Sequence, residues 1–348
     1  MSPNCFAVRY GSPLSGTALS ECGRVAGMAS DMTRRVLVEQ VGEPPVLRVE
    51  SVVLDPATFG DLTGSASGHV VTDLVEVELV AADIVPLDRQ IAAGRFPPAG
   101  PAPYQPGVSA VGRFPNGVLV SVQGGHHRMG FGRPGCFADR FLAPKQACLE
   151  LPAGLDPLVA AAGAETTTTA HLLLHDHAAL VAGERVLVLG ANGGVGRASV
   201  ALALAAGAEV IAASRRPDEL AVPKGVRVVG YEELAGLDAN VIVDPVGGDV
   251  FVAAVRAGAY RCRHVFLGYP AGAVISFVLP LLMIAEHRIL GVNEHAIPEA
   301  TFLDAARSAL DALALGTVVP TIASTHSLAD VAVAFASASS AGRTLLVP

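Results

Sequence analysis

The sequence is poor in cysteine, in lysine and in charge of either sign. Its five cysteines are scattered without a Cys-x-x-Cys pair, which argues against a disulfide framework and is typical of free thiols in a reducing cytosol. Lysine occurs only at Lys145 and Lys224. The sequence has no basic tract, and its formal net charge is -8. We therefore expect a cytoplasmic protein whose main partner is not a nucleic acid.

An uninterrupted apolar run is also missing. Residues 265–285 carry no charge and are long enough to raise the question of a membrane span, but Gly268, Pro270, Gly272 and Pro280 break them up. We predict buried strand, loop and short-helix pieces at this place, and no membrane partner.

The sequence does have enough hydrophobic material for two cores. It has 348 residues, of which 51% are hydrophobic and 16% charged, and a chain of this length rarely folds around a single core.

Residues 1–30 differ from the rest of the chain and are predicted to be a disordered N-terminal extension. Arg9, Glu21 and Arg24 interrupt the apolar core that a secretory signal would need.

The pattern of hydrophobic and polar residues changes near residue 155. Before residue 155, alternation of the kind in Leu74-Val75-Glu76-Val77-Glu78-Leu79 predicts strands with one buried face, and clustered prolines in residues 96–107 predict an ordered loop. After it, apolar strands alternate with alanine-rich helices, which predicts a doubly wound α/β domain with a parallel sheet. Residues 320–348 are mixed again and are expected to rejoin the first domain.

The strongest motif is Gly-Ala-Asn-Gly-Gly-Val-Gly at residues 190–196, between a predicted strand and a predicted helix. A pyrophosphate needs backbone N–H donors at a helix N-terminus and no side chains in its way. These donors are expected from Gly193, Gly194, Val195 and Gly196. In this context the motif predicts dinucleotide binding, although Ala191 stands where the strict pattern has its first glycine.

The next predicted strand, residues 209–214, leads into Ser214-Arg215-Arg216 and ends without a carboxylate. Enzymes that use NAD usually place an acidic residue there, about 20 residues beyond the glycine loop, to hold the ribose hydroxyls. A guanidinium can instead bind a 2′-phosphate, which an acid would repel. NADPH is therefore the predicted cofactor, with Ser214, Arg215 and Arg216 as contacts at its adenosine end.

In order and spacing, these motifs resemble the medium-chain dehydrogenase/reductase superfamily, in its zinc-free quinone oxidoreductase and enoyl reductase branch. The resemblance covers about residues 32–348. It is carried by the following segments: 79–96, 107–112, 135–144, Thr169-Ala170, 190–196 and 244–248. It implies a GroES-like β-rich domain (31–154 and 297–348) split around a Rossmann domain (155–296), and a homodimer paired through the edge strands of the Rossmann sheets.

The resemblance also implies further cofactor contacts. Tyr231 resembles a tyrosine beside the adenosine 2′-phosphate, and Arg343 resembles a C-terminal arginine that reaches the phosphates. Gly268 and Tyr269 fall in the loop that passes the nicotinamide, while Thr169 matches a threonine packed against that ring.

No metal site is expected. Zinc-dependent relatives carry a cysteine and a His-Glu pair at positions that here hold Val85, Val108 and Ser109, and valine offers no ligand. His171 and His175 lie four residues apart on a predicted helix but have no third ligand in a recognised arrangement. We interpret them as packing or surface histidines.

The pocket departs from this branch in the groups that give a proton. Reductases of the branch often present an asparagine and two tyrosines where this chain has Val85, Gln90 and Phe96. Two further aromatic positions hold Phe137 and His171. The usual phenolic donors are therefore missing, and the remaining side chains favour an apolar substrate.

Reduction of an enone needs a hydride at the β-carbon and a proton at the α-carbon. Water can supply that proton to a stabilised enolate, or a side chain among Gln90, Glu165, Thr169 and His171 can. The catalytic candidates are Thr169, Glu165 and Gln90. Glu165 precedes a run of four threonines in an apolar region, so we expect burial to raise its pKa.

The sequence thus predicts an NADPH-dependent, zinc-free oxidoreductase that reduces a small apolar conjugated carbonyl, an enone or a quinone, with secondary metabolism as one setting. Two alternatives stay open. One is an NADPH-binding protein with little catalysis and a structural or regulatory role, which the missing tyrosines favour. The other is a redox-neutral cyclase or isomerase on the same fold.

Overall fold

The computed structural model describes residues 32–59, 73–96, 100–276, 278–337 and 342–348. The predicted N-terminal extension, residues 1–30, lies outside the described residues, as do residues 97–99 of the proline-rich loop. Strands in the described part are β1 (Met32–Gln40), β2 (Val46–Val53), β3 (Leu74–Asp83), β4 (Ala110–Arg113), β5 (Leu119–Val122), β6 (Arg140–Pro144), β7 (Cys148–Glu150), β8 (Arg185–Val188), β9 (Glu209–Ala213), β10 (Arg227–Val229), β11 (Ala239–Asp244), β12 (Gly258–Phe266), β13 (Arg288–Gly291), β14 (Ile322–Ser327) and β15 (Arg343–Val347). The helices are α1 (Pro86–Ala92), α2 (Pro157–His171), α3 (Gly194–Ala205), α4 (Gly248–Val255), α5 (Leu279–Ile284), α6 (Glu299–Ala314) and α7 (Val331–Ala336).

A six-stranded parallel sheet holds the second half of the chain, in the order β10-β9-β8-β11-β12-β13. This is the 3-2-1-4-5-6 order of a doubly wound dinucleotide-binding sheet. In β8, Val186 and Val188 pack into one core and Leu187 into another, so both faces of the strand are covered. The order reverses between β8 and β11, and the loops after these strands therefore border a crevice at the carboxyl edge of the sheet.

A second, mainly antiparallel sheet holds the first part and the end of the chain, in the order β14-β15-β3-β4-β5-β7, with β6 also paired to β3. The strand predicted from the alternation in residues 74–79 is confirmed as β3. The expectation that residues 320–348 rejoin this unit is confirmed too, because β15 pairs with β3 and β14 extends the sheet beside it. The predicted fold class, a β-rich unit plus a doubly wound parallel sheet, is confirmed.

Helix α2 packs against the antiparallel sheet and against helices α3 and α6, and its buried residues share one core with strands of both sheets. Asp156 caps its N-terminus by accepting from the backbone N–H groups of Leu158 (2.7 Å) and Val159 (3.1 Å), and Pro157 occupies the first turn. Its four consecutive threonines are poor helix formers, but they are buried here, so packing outweighs propensity. The hydroxyls of Thr168 and Thr169 bond back to carbonyls one turn earlier.

The described residues within 265–285 form the end of β12, loop segments and the short helix α5, which matches the predicted pieces. The prediction of burial is wrong for α5, where Leu279, Met283 and Ile284 are each at least 70% exposed. Within the described ranges, no helix combines the length and the apolar character needed to cross a bilayer. The domain boundaries at residues 154 and 296 stay predictions.

Candidate functional site

The glycine loop joins β8 to α3 and has little room for side chains. A Cβ on Gly196 would collide with the carbonyl oxygen of Gly190, and one on Gly194 would lie 2.8 Å from Thr166 Cγ2 of helix α2. Gly190 itself has φ +59°, in the left-handed region that favours glycine. The N-terminus of α3 therefore presents bare backbone, as anion binding at a helix end requires.

The loop after β11 packs directly against the glycine loop. Asp244 accepts from the backbone N–H groups of Val246 (2.7 Å) and Gly247 (2.9 Å), which fixes the turn. The other oxygen of Asp244 lies 3.1 Å from Nε2 of the buried His264. Because a Cβ on Gly190 would lie 2.8 Å from Val246 Cγ2, this braced turn forms one wall of the crevice.

The loop predicted to pass the nicotinamide covers that turn. Gly268 has φ +81°, and the Tyr269 side chain is 43% exposed. Ala271 donates to the carbonyl of Val246 (2.9 Å), and Gly248 donates to that of Gly272 (3.1 Å). The structure thus brings Gly268 and Tyr269 to the same edge of the sheet as the glycine loop.

The residues predicted for the adenosine end meet at the carboxyl end of β9. The backbone N–H of Gly190 donates to the Tyr231 hydroxyl (3.2 Å), which ties Tyr231 to the glycine loop. Burial raises the pKa of Tyr231, and the nearby positive charge of Arg215 lowers it. Ser214 is buried and accepts from the backbone N–H of Arg216 (3.2 Å).

The two arginines at this end differ in their partners. Arg216 forms an exposed ion pair with Glu219 (2.9 Å). Arg215 is exposed, and no ion pair engages it among the described residues. Of the two, Arg215 is the guanidinium with donors available to a ligand beside Tyr231.

Arg343 lies between the two sheets, next to the glycine loop. Its Nε donates to Asp83 Oδ2 (2.6 Å), and Nη2 contacts the same oxygen. Its Nη1 lies 3.0 Å from the position that a Cβ on Gly194 would take. Asp83, at the end of β3, is 1% exposed, so the sequence analysis missed a buried counter-ion for this predicted phosphate contact.

Thr169 and Glu165 lie one turn apart on α2. Glu165 directly precedes Thr166, which contacts the glycine loop, and Thr169 lies about one turn beyond Thr166. The Thr169 hydroxyl donates to the Glu165 carbonyl (3.1 Å) and also hydrogen-bonds to the side chain of Glu294, which follows β13. Burial raises the pKa of Glu165 well above its usual value, and the charge of Glu294 raises it further. The raised pKa expected for Glu165 is confirmed.

Glu294 is a residue that the sequence analysis missed. Burial raises its pKa to about 7. It begins a short helical turn, Glu294–Ala296, whose backbone is held by His126: Nδ1 lies 2.9 Å from the Glu294 carbonyl oxygen. No local motif marks this position, because Glu294 meets Thr169 only through the fold.

The positions that zinc-dependent relatives use for ligands lie in an apolar cluster. Val85 and Val108 pack there with Ile91 and Phe131, and Phe96 lies against them. Phe137, which the sequence places in the same pocket, lies in another core and packs edge-on against Phe335. The positions that hold zinc ligands in those relatives are therefore apolar here, and Phe137 lies outside this cluster.

Two other candidates for the proton donor lie apart from Thr169 in the described contacts. Gln90 is half-buried on α1, and none of these contacts joins its side chain to Glu165 or Thr169. His171 packs its ring against that of His175 at 4.6 Å, where α2 continues into a π-helical turn, Leu172–His177. Burial lowers the pKa of both histidines.

Groups of three or more potential ligands that could hold a metal are absent from the described residues.

Asp88 stabilises the loops around this region. It is buried, and its two carboxylate oxygens accept from the backbone N–H groups of Val85 and Gly107, each at 3.1 Å. Burial raises its pKa to about 7. With both oxygens engaged by backbone, Asp88 clamps the end of β3 to the loop before β4.

No protein-family model matches the chain. Among characterised proteins, it is 30% identical over 214 residues to phthioceranic/hydroxyphthioceranic acid synthase of Mycobacterium tuberculosis (strain ATCC 25618 / H37Rv), covering 56% of this chain and 10% of the synthase. It is 29% identical over 215 residues to the quinone oxidoreductase-like protein 2 homolog of Nematostella vectensis, covering 57% of this chain and 59% of that protein. The chain therefore matches only part of the length of either relative.

Solved structures share the whole fold. A quinone oxidoreductase of Pseudomonas syringae pv. Tomato DC3000 aligns with a TM-score of 0.74 at 23% identity, covering 91% of this chain and 100% of that one. An alcohol dehydrogenase superfamily protein of Novosphingobium aromaticivorans aligns with a TM-score of 0.72 at 22% identity, covering 91% and 99%. A protein of Sinorhizobium meliloti solved with NADP bound aligns with a TM-score of 0.72 at 22% identity, covering 92% and 100%. The fold implied by the resemblance is thus confirmed, because the chain shares the fold of these proteins.

Proposed function

We propose that this protein is an NADPH-dependent reductase that works without zinc on an apolar conjugated carbonyl compound. One observation carries the proposal: at the end of β9, Arg215 has no ion pair among the described residues and lies near Tyr231, which is bonded to the glycine loop. A guanidinium with free donors beside the glycine loop is the group that a 2′-phosphate requires.

The residues present fit this cofactor along the crevice. The backbone at the start of α3, where a Cβ on Gly196 would collide with Gly190, suits the pyrophosphate. Arg343 offers Nη1 on the same side, at Gly194. When bound, NADPH would supply a hydride to the substrate.

The chain's own residues would orient the substrate and exclude water. Thr169, one turn beyond the contact of Thr166 with the glycine loop, is in place to contact the nicotinamide end of the crevice. The apolar cluster around Val85, Val108 and Phe131 provides a dry wall on which a hydrocarbon substrate can pack. Because valine side chains have no lone pairs to offer a metal, this wall supports chemistry without zinc.

Two similar proteins bear on the substrate. One carries quinone oxidoreductase in its name, and the other is a synthase of long-chain acids that matches this chain over a tenth of its length. Both are compatible with a conjugated carbonyl acceptor. We propose an enone or a quinone as the substrate class.

We also propose that the protein works as a homodimer. Strand β13 is the outer strand of the parallel sheet, and one edge of its backbone has no strand partner among the described residues. Apolar side chains of α5 and the loop before it are 59–79% exposed beside it; they are Val274, Val278, Leu279, Met283 and Ile284. A contiguous apolar surface next to an unpaired strand edge favours a second copy of the same chain as its occupant.

The test combines binding with turnover. Calorimetry with NADPH and with NADH should give clearly tighter binding for NADPH, and NADPH oxidation should be seen with at least one of a panel of quinones and enones. Failure to bind either cofactor would overturn the proposal. Tight NADPH binding without turnover of any acceptor would favour a redox-neutral or non-catalytic role.

A further inference from the structure

Two carboxyl groups converge on Thr169 from different parts of the chain. Glu165 lies one helical turn before Thr169 on α2, and Glu294 follows β13. The loop at residues 125–126 meets both: a Cβ on Gly125 would lie 3.3 Å from Glu165 Oε1, and His126 Nδ1 lies 2.9 Å from the Glu294 carbonyl. The fold therefore places two acids around one hydroxyl at the predicted nicotinamide end of the crevice.

Neither carboxyl group is fully paired. Glu165 Oε2 and Glu294 Oε1 are enclosed and have no hydrogen-bond partner among the described residues. Both residues nevertheless keep part of their surface accessible. An enclosed carboxylate oxygen without a donor is costly when ionised, and two such groups side by side cannot both ionise cheaply.

The Thr169 hydroxyl contacts both residues. It donates its hydrogen to the Glu165 carbonyl at 3.1 Å. Its contact with the Glu294 side chain lowers the pKa of that carboxyl, but burial raises this pKa by more, to about 7. The enclosure of two neighbouring acids that are not fully paired therefore favours at least one proton on the pair.

We propose that Glu165 and Glu294 form a carboxyl pair that shares one proton and delivers it to the α-carbon of an α,β-unsaturated carbonyl substrate. This deepens, and rests on, the reductase function proposed above. It also selects an enone over a quinone as the substrate, because the oxygens of a reduced quinone take protons readily from water whereas a carbon does so slowly.

The step is balanced as follows. A hydride adds to the β-carbon, and the electrons of the carbon–carbon double bond move toward the carbonyl oxygen. The α-carbon then forms a bond to the proton, the O–H bond of the pair breaks, and both glutamates are left as carboxylates. Solvent returns one proton to the pair before the next turnover, while NADPH leaves as NADP⁺.

The surrounding charges favour retention of that proton. Asp88 on α1 and Asp83 on β3 both raise the pKa of Glu165, and Arg343 on β15 lowers it by a smaller effect. On the loop that carries Glu294, His295 packs its ring against Phe131 at 5.0 Å. His127, beside His126, lies 3.7 Å from Glu299.

The experiment compares Glu165→Gln and Glu294→Gln with the wild type, and uses Glu299→Gln, at the start of α6, as a matched control. Cyclohexenone serves as the acceptor that needs a carbon protonated, and menadione as the acceptor that does not. We expect kcat with cyclohexenone to fall by about 10²–10⁴-fold in either glutamine variant. Menadione turnover should fall much less than cyclohexenone turnover in both glutamine variants, and every value for Glu299→Gln should stay within about twofold of wild type.

A second readout needs neither substrate nor cofactor. Infrared difference spectra of the free protein near neutral pH should contain the carbonyl stretch of a protonated carboxylic acid that is lost in both glutamine variants but kept in Glu299→Gln. In the wild type, turnover of cyclohexenone should decline as pH rises and the pair gives up its proton, while turnover of menadione does not.

The outcomes separate the two proposals. Suppose that menadione is reduced and NADPH binds, but the wild type does not reduce cyclohexenone, or both variants reduce cyclohexenone as fast as the wild type. The carboxyl pair is then not the proton donor, and the reductase function stands. Absence of the variant-sensitive infrared band overturns the shared proton directly. If the wild type binds no NADPH, the reductase function itself fails.

Discussion

The guanidinium of Arg343 turns two of its nitrogens to one oxygen of Asp83 and its third toward Gly194. Nε lies 2.6 Å from Asp83 Oδ2, whereas Nη1 lies 3.0 Å from the point that a Cβ on Gly194 would occupy. Burial raises the pKa of Asp83 to about 6, although Arg343 acts to lower it. Asp83 thus orients the cation and leaves one of its nitrogens directed at the glycine loop.

This pair should behave as a buried ion pair in a double-mutant cycle. We expect Asp83→Leu alone to lower the free energy of unfolding by about 3–5 kcal/mol, because the charge of Arg343 is then left buried without its partner. Adding Arg343→Met should restore part of that loss. Urea unfolding of the two single variants and the double variant measures this, and simple additivity of the two losses would contradict it.

Cofactor choice should depend on Arg215 more than on Arg216. Charge-assisted hydrogen bonds contribute about 1.5–3 kcal/mol, so Arg215→Ala should weaken NADPH binding by about 10–150-fold and leave NADH binding nearly unchanged. Arg216→Ala should have a smaller effect, because Arg216 already pairs with Glu219. Calorimetry with both cofactors decides this, and an equal loss for NADPH and NADH would exclude a role in 2′-phosphate recognition.

The glycine loop should not tolerate a methyl group at Gly196. A Cβ there would meet backbone on two sides, the Gly190 carbonyl and Ala191 Cα, and neither can move without opening the turn. We expect Gly196→Ala to weaken NADPH and NADH binding alike by about 5–150-fold, since overpacking of this kind costs about 1–3 kcal/mol. Gly100→Ala is the control, because nothing lies within 4 Å of its added Cβ. Unchanged affinity in Gly196→Ala would show that the dinucleotide does not use this loop as proposed.

The elements that the sequence predicted correctly are those whose signal is local. Strand β3 shows alternation, and the glycine loop stands between a strand and a helix. These features depend on residues close together in the chain, so a single sequence is enough to find them.

The parts of the site that were missed depend on distant residues. Asp83 meets Arg343 and Glu294 meets Thr169 only because β3, β15, α2 and the loop after β13 come together in the fold. Phe137 was assigned to the pocket although it packs in another core. The apolar character of α5 was taken as burial, although the same composition equally suits a surface that another copy covers.

That surface leads to a prediction about assembly. We expect the protein to be a dimer in solution, and Ile284→Arg, which places a charge on a side chain that is 74% exposed on α5, should shift it toward the monomer. Leu315→Arg is the matched control, because Leu315 is 81% exposed at the end of α6, on a different element. Sedimentation of both variants is the measurement. A wild-type monomer, or a dimer indifferent to Ile284→Arg, would show that this face is not the interface.

The carboxyl pair should also change how stability depends on pH. Glu294 has a pKa of about 7 in the folded protein because it is buried, whereas a glutamate in the unfolded chain titrates near ~4.3. Between these two values the folded state holds a proton that the unfolded state has released. The free energy of unfolding contributed by Glu294 is therefore fully present below about pH 4.3 and is lost as pH rises toward about 7.

Glu294→Gln removes this titration, so its stability relative to the wild type should rise across the same pH range. The full shift between the two pKa values corresponds to at most ~4 kcal/mol, and the partial exposure of Glu294 makes the expected gain smaller. Urea unfolding of the two proteins at several pH values gives the difference directly. Parallel stability curves would mean that Glu294 titrates alike in the folded and unfolded states, which would remove the physical reason for a proton stored beside Thr169.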